Sequence, residues 1–255
     1  MKTIENNRVQ ILNSPVDRLT MEETILKIED AIINKKQLQH VCVNAGKYIQ
    51  MQHDTYLLKA VNESDIISAD GQSIIWASKL LGDPLPERVS GINLMDNLIV
   101  LAHKKKYRCY FLGAREEIVS KVVEIYTRKY SPDIIAGYNN GYYSNNDEQT
   151  IVNQINQSKA DMLFIAISSP KKEIFLNKYK NILTTPFIMG VGGSFDVVAG
   201  IVKRAPVWMQ NNGLEWVYRL IQEPVRMWRR YILGNPHFIY LVLLQKLGLY
   251  SPPKQ

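Results

Sequence analysis

Short apolar runs alternate with helical periodicities along most of the chain. Uninterrupted runs such as HVCVNA (40–45) and DMLFIAISSP (161–170) are typical of strands buried on both faces of a sheet. The segments between such runs, for example 47–64 and 116–130, carry the apolar spacing of helices. These alternating units predict an α/β fold, with a mainly parallel, Rossmann-like sheet and helices on both faces.

The predicted strand ends hold the candidate chemistry, because ligands of such folds bind where the parallel strands end. The residues at these ends are small or polar, namely Asn44, Asp70, Gly113, Ala114, Ser168, Ser169, Pro170, Gly192, Gly193 and Ser194. Asp70 is the only acid among them. It is either the N-cap of the helix that follows or a functional group, because an unpaired buried carboxylate is costly.

Two glycine turns, FLGA (111–114) and GVGGSF (190–195), suit close approach of the backbone to a phosphate. Neither is a GxGxxG fingerprint or a P-loop, so ordinary turn chemistry also explains each. No pair of acids has the DxD spacing that holds a divalent cation on a diphosphate. We therefore expect arginines or helix ends to neutralise a bound diphosphate, without a metal or another cofactor.

The composition is typical of a globular chain. Its 255 residues suffice for one large domain, alone or with an appendage, and 46% hydrophobic with 22% charged residues argue against disorder. Cys42 and Cys109 have neither CxxC nor Cys/His spacing, which argues against structural zinc and predicts reduced thiols. The N-terminal segment lacks the pattern of a signal peptide, so we expect a cytoplasmic location.

The C-terminal segment is basic and aromatic. From residue 201 onward there are eight lysines and arginines but only two acids, Glu215 and Glu223. Tryptophans and tyrosines lie between the arginines, and the apolar run FIYLVLL (238–244) is too short to span a bilayer. This pattern predicts a helix in the membrane interface, with a helix that packs on the core as the alternative. We therefore divide the chain into an α/β core, 1–200, and a membrane-associating appendage, 201–255.

Three stretches resemble a known family: ADGQSIIWASKLLGDPLPERVSGINLM, SSPKKEIFLNK and GVGGSFDVVAGIVKRAPVWMQNNGLEWVYRLIQEPVRMWRRY. They are similar to a bacterial glycosyltransferase family that includes the N-acetylmannosaminyltransferases of wall teichoic acid synthesis. The same family includes the N-acetylmannosaminuronic acid transferases of enterobacterial common antigen. The resemblance runs from about residue 10 to 235. It implies inverting, metal-independent transfer from a UDP-sugar, with a C-terminal appendage that completes the site at the membrane.

The resemblance also implies roles for individual residues. It makes Asp70 the general base, with Asn44 and Arg88 as further catalytic residues. Together with the strand ends, it gives as substrate-binding residues Cys42, Gly113, Ala114, Ser169, Lys172, Glu173, Gly192, Gly193, Arg219, Arg226 and Arg229. Two positions depart from the family pattern, because Cys42 stands where the family has Thr and Lys172 where it has Gln. These departures leave the donor sugar open.

The expected activity is transfer of an N-acetylmannosamine-type or related hexose to a polyprenyl-diphosphate-linked saccharide at the inner face of the cell membrane. A UDP-glucose-type hexosyltransferase of capsule or exopolysaccharide assembly is the alternative in the same reaction class. A non-catalytic nucleotide- or nucleic-acid-binding module would also use a basic tail, but no nucleic-acid motif is present and no such partner is expected. The missing GxGxxG argues against an NAD-dependent oxidoreductase. The sequence leaves homo-oligomer formation open.

Overall fold

The computed structural model describes residues 8–252, except for the side chains of Asn145, Asn211, Arg226 and Arg230. The chain begins with an antiparallel hairpin of β1 (Arg8–Ile11) and β2 (Ser14–Asp17). The later strands are β3 (Leu38–Val43), β4 (Ile66–Ala69), β5 (Cys109–Gly113), β6 (Ile135–Asn139), β7 (Met162–Ala166) and β8 (Phe187–Gly190). They form one parallel sheet in the order β4-β3-β8-β7-β5-β6, which confirms the predicted fold class.

Helices connect these strands and continue beyond the last one. Those up to β8 are α1 (Met21–Ile33), α2 (Ala45–Met51), α3 (Thr55–Asn62), α4 (Gln72–Leu80), α5 (Gly91–Lys105), α6 (Glu116–Lys129), α7 (Glu148–Ser158) and α8 (Lys171–Tyr179). After β8 come α9 (Ser194–Val198), α10 (Val207–Asn211), α11 (Glu215–Gln222), α12 (Pro224–Trp228) and α13 (Gly234–Lys246). A π-helical turn, Arg229–Leu233, joins α12 to α13.

Both faces of the sheet are covered by helices. Successive side chains of a strand point to opposite faces, so neighbouring residues on the strands join different cores. Phe111 and Phe164 pack with residues of α1, α5 and α6, whereas Leu112 and Ile165 pack with residues of α7 and α8. The strands are therefore apolar without interruption, as their sequence runs indicated.

The helix predicted over 47–64 is two helices, so that prediction was wrong in detail. The chain breaks between α2 and α3, where Asp54 becomes the N-cap of α3 and its Oδ1 accepts the backbone N–H of Leu57 at 2.9 Å. Asp is among the favoured N-cap residues because its carboxylate satisfies an N–H that lacks a helical partner. The apolar periodicity continues through the break and therefore concealed it.

The N-terminal hairpin covers the outer edge of the sheet. Oδ2 of Asp17 accepts the backbone N–H of Ile67 on β4 at 2.7 Å, and Arg8 donates to the backbone oxygen of Asp65 at 2.8 Å. These contacts satisfy groups of an edge strand that would otherwise be open to pairing with another chain.

The C-terminal helix α13 packs on the core. Its residues Phe238 and Val242, one turn apart, are each 1% exposed and join the apolar cluster between the hairpin and the helices α2 to α4. The Gln245 side chain accepts the N–H of Leu12 at 2.7 Å and donates to the backbone oxygen of Gln10 at 3.1 Å. The core-packing alternative therefore describes this face of α13.

The rest of the appendage is a series of short helices that expose many apolar side chains. Counting those on and after α13, the large apolar side chains of the appendage that are at least half exposed are Ile201, Val207, Trp208, Ile221, Val225, Ile232, Leu233, Ile239, Tyr240, Leu247 and Leu249. Within residues 8–252, no helix combines the length and the apolarity that crossing a membrane requires. The predicted boundary at residue 200 falls between α9 and α10, and the division into two domains stays a prediction.

Candidate active site

Two adjoining cavities open at the carboxyl edge of the sheet, with volumes of about 1420 Å³ and about 530 Å³. Both are lined by Cys42, Asn44, Asp70, Gly193 and Arg219. The strands β5 and β7 are neighbours in the sheet. From β5 the chain continues outward to β6 at one edge, whereas from β7 it continues to β8, on the side away from β5. Ligands of open α/β sheets bind where the connections diverge in this way.

Asp70 directly follows β4 and lies on the wall shared by the two cavities. It is not the N-cap of α4, because Gly71 occupies that position without a side-chain hydrogen bond. Its Oδ1 instead accepts the N–H of Gly91, the first residue of α5, at 2.9 Å. The hypothesis of a cap for the following helix was therefore wrong, and the carboxylate is held by a different helix.

Asn44 sits beside Asp70 because the ends of β3 and β4 approach closely. It is the N-cap of α2, with its Oδ1 accepting the N–H of Lys47 at 3.1 Å. A Cβ added at Gly71 would lie 3.1 Å from Cβ of Asn44, so the glycine permits this approach. Among the described residues, the amide nitrogen of Asn44 donates to none, which leaves a donor at the shared wall.

Cys42, one of the two positions at which the sequence departs from the resemblance, lies on the same wall. A Cβ added at Gly91 would lie 3.2 Å from its Sγ, so the thiol packs against the start of α5. Burial and then the nearby Asp70 carboxylate raise the pKa of the Cys42 thiol well above its usual range. The group is therefore a neutral thiol at physiological pH and a weaker hydrogen-bonding partner than a hydroxyl.

Arg88 lines the smaller cavity and is engaged by the appendage. Its guanidinium donates to the carboxylate of Glu215 on α11. The same carboxylate lies 3.9 Å from Nε of Arg204, and Nη1 of Arg204 lies 3.9 Å from Asp96 on α5. This group of charges joins the loop before α5 to the appendage. The roles of Glu215 and Arg204 in it could not be read from the sequence pattern, because their partners are distant along the chain.

Arg219 lies against the glycine turn after β8. A Cβ added at Gly193 would lie only 2.9 Å from Nη2 of Arg219, so the glycine makes room for the guanidinium. Gly192 has φ +53°, a conformation that favours glycine. The appendage thus brings a cation to a turn that the sequence singled out for phosphate binding.

Of the other two arginines that were predicted to bind substrate, Arg226 and Arg229, only Arg229 has a described side chain. It lines the larger cavity, and its guanidinium carbon lies 5.4 Å from the ring centre of Trp228, within range of a cation–π contact. The predicted role of Arg226 falls on a side chain outside the described residues.

The remaining predicted binding residues divide into two groups. Ala114, Ser169 and Lys172 line the larger cavity, whereas Gly113 and Glu173 line neither cavity. Gly113 instead serves packing, because its φ is +117° and an added Cβ would lie 2.7 Å from the backbone of Ala166 on β7. Because Gly113 lines neither cavity, the structure gives no support to its predicted contact with a substrate.

Glu173 is buried behind the larger cavity between two lysines. Its Oε1 accepts from Nζ of Lys47 and Nζ of Lys172, each at 2.6 Å. Burial alone would raise the pKa of Glu173, but the two ammonium groups outweigh burial and lower it to about 2. Glu173 is therefore ionised and is a weak base at neutral pH.

The walls of the two cavities differ in chemistry. The smaller cavity has large apolar side chains, including Trp76, Ile92, Val197, Trp216, Tyr231 and Ile239. The larger one has cationic and glycine-rich walls, including Lys47, Arg115, Lys172, Gly192, Arg219 and Arg229. Within residues 8–252, no three His, Cys, Asp or Glu side chains are grouped as a metal site would require.

The chain is similar to known glycosyltransferases over nearly its whole length. The sequence model of the "Glycosyl transferase WecG/TagA/CpsF family" matches residues 9–252. Three relatives carry the name N-acetylglucosaminyldiphosphoundecaprenol N-acetyl-beta-D-mannosaminyltransferase. The one from Bacillus spizizenii is 38% identical over 192 residues, 75% of this chain and 73% of the relative.

The relative from Bacillus subtilis is 36% identical over 198 residues, 76% of each chain. The relative from Staphylococcus aureus is 32% identical over 242 residues, 94% of this chain and 93% of the relative. These matches confirm the resemblance read from the sequence motifs, and the chain belongs to the WecG/TagA/CpsF family of glycosyltransferases.

Proposed function

We propose that this glycosyltransferase moves an N-acetylmannosamine-type or related hexose from a UDP-sugar to a polyprenyl-diphosphate-linked saccharide, with inversion and without a metal. The shared name of the relatives supports the sugar and the acceptor class. The observation that carries the proposal is the position of Asp70, where a cationic, glycine-rich cavity meets one whose wall holds more of the large apolar side chains.

Asp70 is suited to act as the general base. The Gly91 N–H fixes Oδ1, and among the described residues Oδ2 accepts no hydrogen bond. A carboxylate held in this way can take the proton of an acceptor hydroxyl as that oxygen attacks the anomeric carbon of the donor. Attack from the face opposite the leaving UDP inverts the configuration of that carbon.

The larger cavity suits the donor. The turn at Gly192 and Gly193 allows close approach of a diphosphate, and Arg219 and Arg229 lie on the same wall. Their guanidinium groups would stabilise the negative charge that develops on the leaving UDP. This supply of fixed cations is the support for a metal-independent reaction.

The smaller cavity suits the acceptor. Aromatic residues of the appendage, Trp216 and Tyr231, form part of its wall and offer apolar faces to a sugar ring or to the first prenyl units. The exposed apolar side chains of the appendage would place this cavity at the surface of the membrane that holds a lipid-linked acceptor. Peripheral association with the inner face of the membrane is therefore part of the proposal.

The test is transfer by the purified chain in EDTA. UDP-N-acetylmannosamine and UDP-glucose are each supplied with a short polyprenyl-diphosphate N-acetylglucosamine acceptor in detergent, and the product is identified by mass spectrometry. The anomeric configuration follows from NMR of the product. Transfer that requires a divalent cation, or that proceeds with retention, would contradict the proposed chemistry. Preference for UDP-glucose would favour the alternative hexosyltransferase.

A further inference from the structure

A charged cluster of Lys47, Lys172 and Glu173 lies at the base of the larger cavity. Both lysine side chains are 8% exposed and the Glu173 side chain is 3% exposed, so the cluster is nearly removed from water. The two lysines line the cavity, whereas Glu173 lies behind them. The chain brings the three residues together from α2 and α8, more than a hundred positions apart in sequence.

The cluster holds more positive than negative charge. Both ammonium groups donate to the same oxygen, Oε1, of a single carboxylate. The other oxygen, Oε2, is buried without a partner among the described residues. One ion pair would balance Glu173, so the second lysine adds a net positive charge. A buried charge without a counter-ion costs several kcal/mol, and a ligand with a negative group would offset that cost.

The path of the Lys172 side chain directs the surplus charge to the cavity. A Cβ added at Gly190, the last residue of β8, would lie 2.9 Å from Cε of Lys172. The glycine therefore allows the lysine stem to cross the end of the strand. Lys172 and Cys42 both line this cavity, so the lysine reaches the part of the site that holds the end of β3.

We infer that Lys47 and Lys172 bind one negatively charged oxygen group of the donor, either a phosphate of its diphosphate or a carboxylate on an acidic sugar. Glu173 is the positioning residue that holds both ammonium groups at the cavity wall. The inference rests on the proposed function, since it concerns the donor of that reaction. Lysine ammonium groups are common partners of phosphate and carboxylate oxygens, and such charge-assisted bonds are among the stronger ones in proteins.

The experiment measures binding without turnover. Isothermal titration calorimetry at pH 7 compares UDP, UDP-N-acetylglucosamine, UDP-glucuronate and pyrophosphate as probes. The proteins are the wild type, Lys172→Gln, Lys172→Arg and the control Lys104→Gln. Lys104 is exposed near the far end of α5, about 20 Å along the helix from its start at the site. Circular dichroism confirms that each variant is folded.

We expect Lys172→Gln to weaken binding by about 10- to 100-fold, with partial recovery in Lys172→Arg and no change in Lys104→Gln. A loss common to all probes identifies the diphosphate as the bound group. A loss confined to UDP-glucuronate identifies a carboxylate on the sugar. Equal affinity of folded Lys172→Gln and wild type for every probe overturns the inference.

This binding experiment can fail independently of the test of the proposed function. A wild type that binds UDP but transfers no sugar contradicts the proposed function, while the effect of Lys172→Gln on UDP binding still decides the inference. A wild type that binds none of the four probes contradicts the inference directly.

Discussion

Arg88 of the core donates a hydrogen bond to Glu215 of the appendage, and both side chains are mostly buried. Glu215 begins α11, and Arg219 lies one turn later on the same helix, against the glycine turn at 193. Residues four apart share a helix face, so the pair that fixes Glu215 also sets the position of Arg219. One contact therefore couples two arginines that are expected to act on the substrates.

Glu215→Gln should impair catalysis more than folding. Gln keeps a hydrogen-bond acceptor for Arg88 but loses the charge that holds Arg88 and Arg204. If the displaced arginines stabilise the transition state by about 1.4 kcal/mol less, kcat/KM falls tenfold. Steady-state kinetics and thermal melting measure the two effects. Glu124→Gln is the control, because its pair with Lys121 is exposed on α6; a normal kcat/KM for Glu215→Gln would contradict the coupling.

Asp70→Asn should lower kcat by about 10²- to 10⁴-fold, the usual contribution of a general base. Asn can still accept the Gly91 N–H through its side-chain oxygen, so the melting temperature and UDP affinity should change little. Asp70→Ala removes that acceptor as well and should also destabilise the fold by about 1 kcal/mol or more. Near-normal turnover of Asp70→Asn would mean that another group is the base.

Adjacent glycines after β8 provide a matched pair of substitutions. Gly193→Ala should weaken UDP binding without a large loss of stability, because its Cβ would displace only the mobile end of Arg219. Gly192→Ala has open space around its Cβ but an unfavourable φ, so it should lower stability by about 1 kcal/mol. Calorimetry with UDP and thermal melting separate the two. Equal UDP affinity of Gly193→Ala and wild type would contradict a phosphate role for Arg219.

UDP binding should weaken above pH 8. Burial, followed by the charge of Lys47, lowers the pKa of Lys172 to about 8, although the Glu173 carboxylate favours its charged form. Above that pH the ammonium loses its proton, and affinity should fall by up to about tenfold per pH unit. Calorimetry at pH 7, 8 and 9 measures the trend. In Lys172→Gln the ligand still titrates but residue 172 does not. If UDP affinity fell equally with pH in both proteins, the loss would not come from Lys172.

The lowered pKa of Lys172 also affects the stability of the unliganded protein, which should rise with pH rather than fall. An ordinary lysine titrates near 10.5, so the unfolded chain binds a proton between about pH 8 and 10.5 that the folded chain does not. Stability from this group therefore rises with pH across that window. Urea unfolding of wild type and Lys172→Gln at pH 7.5 and 9.5 should show a larger rise for the wild type.

Two exposed residues of the appendage test membrane association. Ile221 and Val225 are 72% and 89% exposed, and Asp at both positions should lower binding to anionic vesicles by 100-fold or more, because each buried aliphatic side chain contributes about 1.5–3 kcal/mol. Tyr56→Asp is the control, since Tyr56 is 77% exposed on the core helix α3. Vesicle flotation at low and high salt measures binding, and unchanged flotation of the double variant would rule out this surface.

The parallel sheet could be predicted because its strands are buried on both faces and therefore read as continuous apolar runs. The ends of these strands could be predicted with them, which is why the sequence placed Asn44 and Asp70 at the carboxyl edge of the sheet, where the structure has them. The hairpin was not identified, because β1 and β2 are short and lack the continuous apolar run that marks the equally short β4 and β8. Short strands carry too little periodicity to stand out from a loop. The helix α1 was not identified either, although Thr20 and Glu23 form a capping box at its start.

The charged contacts of the site could not be predicted from local pattern. Lysines are seldom buried unless they are paired, yet Lys47 is buried against Glu173, 126 positions away. Arg88 and Glu215 are 127 positions apart. Such pairs depend on which strand ends meet in the folded sheet, and nothing in the spacing of charges along the chain records that order.

The hydrogen bonds of Gln245 to the N-terminal hairpin change how the appendage can move. The segment from α10 to the π-helical turn leaves the core after α9 and returns to it through α13, so it is fastened at both ends. The pair of Arg88 with Glu215 and the contact of Arg219 with the Gly193 turn hold its middle as well, so the segment cannot extend away from the core as a flexible linker would. Under the proposed function, the distance between Asp70 and a lipid surface that the appendage contacts would then be set by the fold, and a longer or shorter acceptor would have to adjust to it.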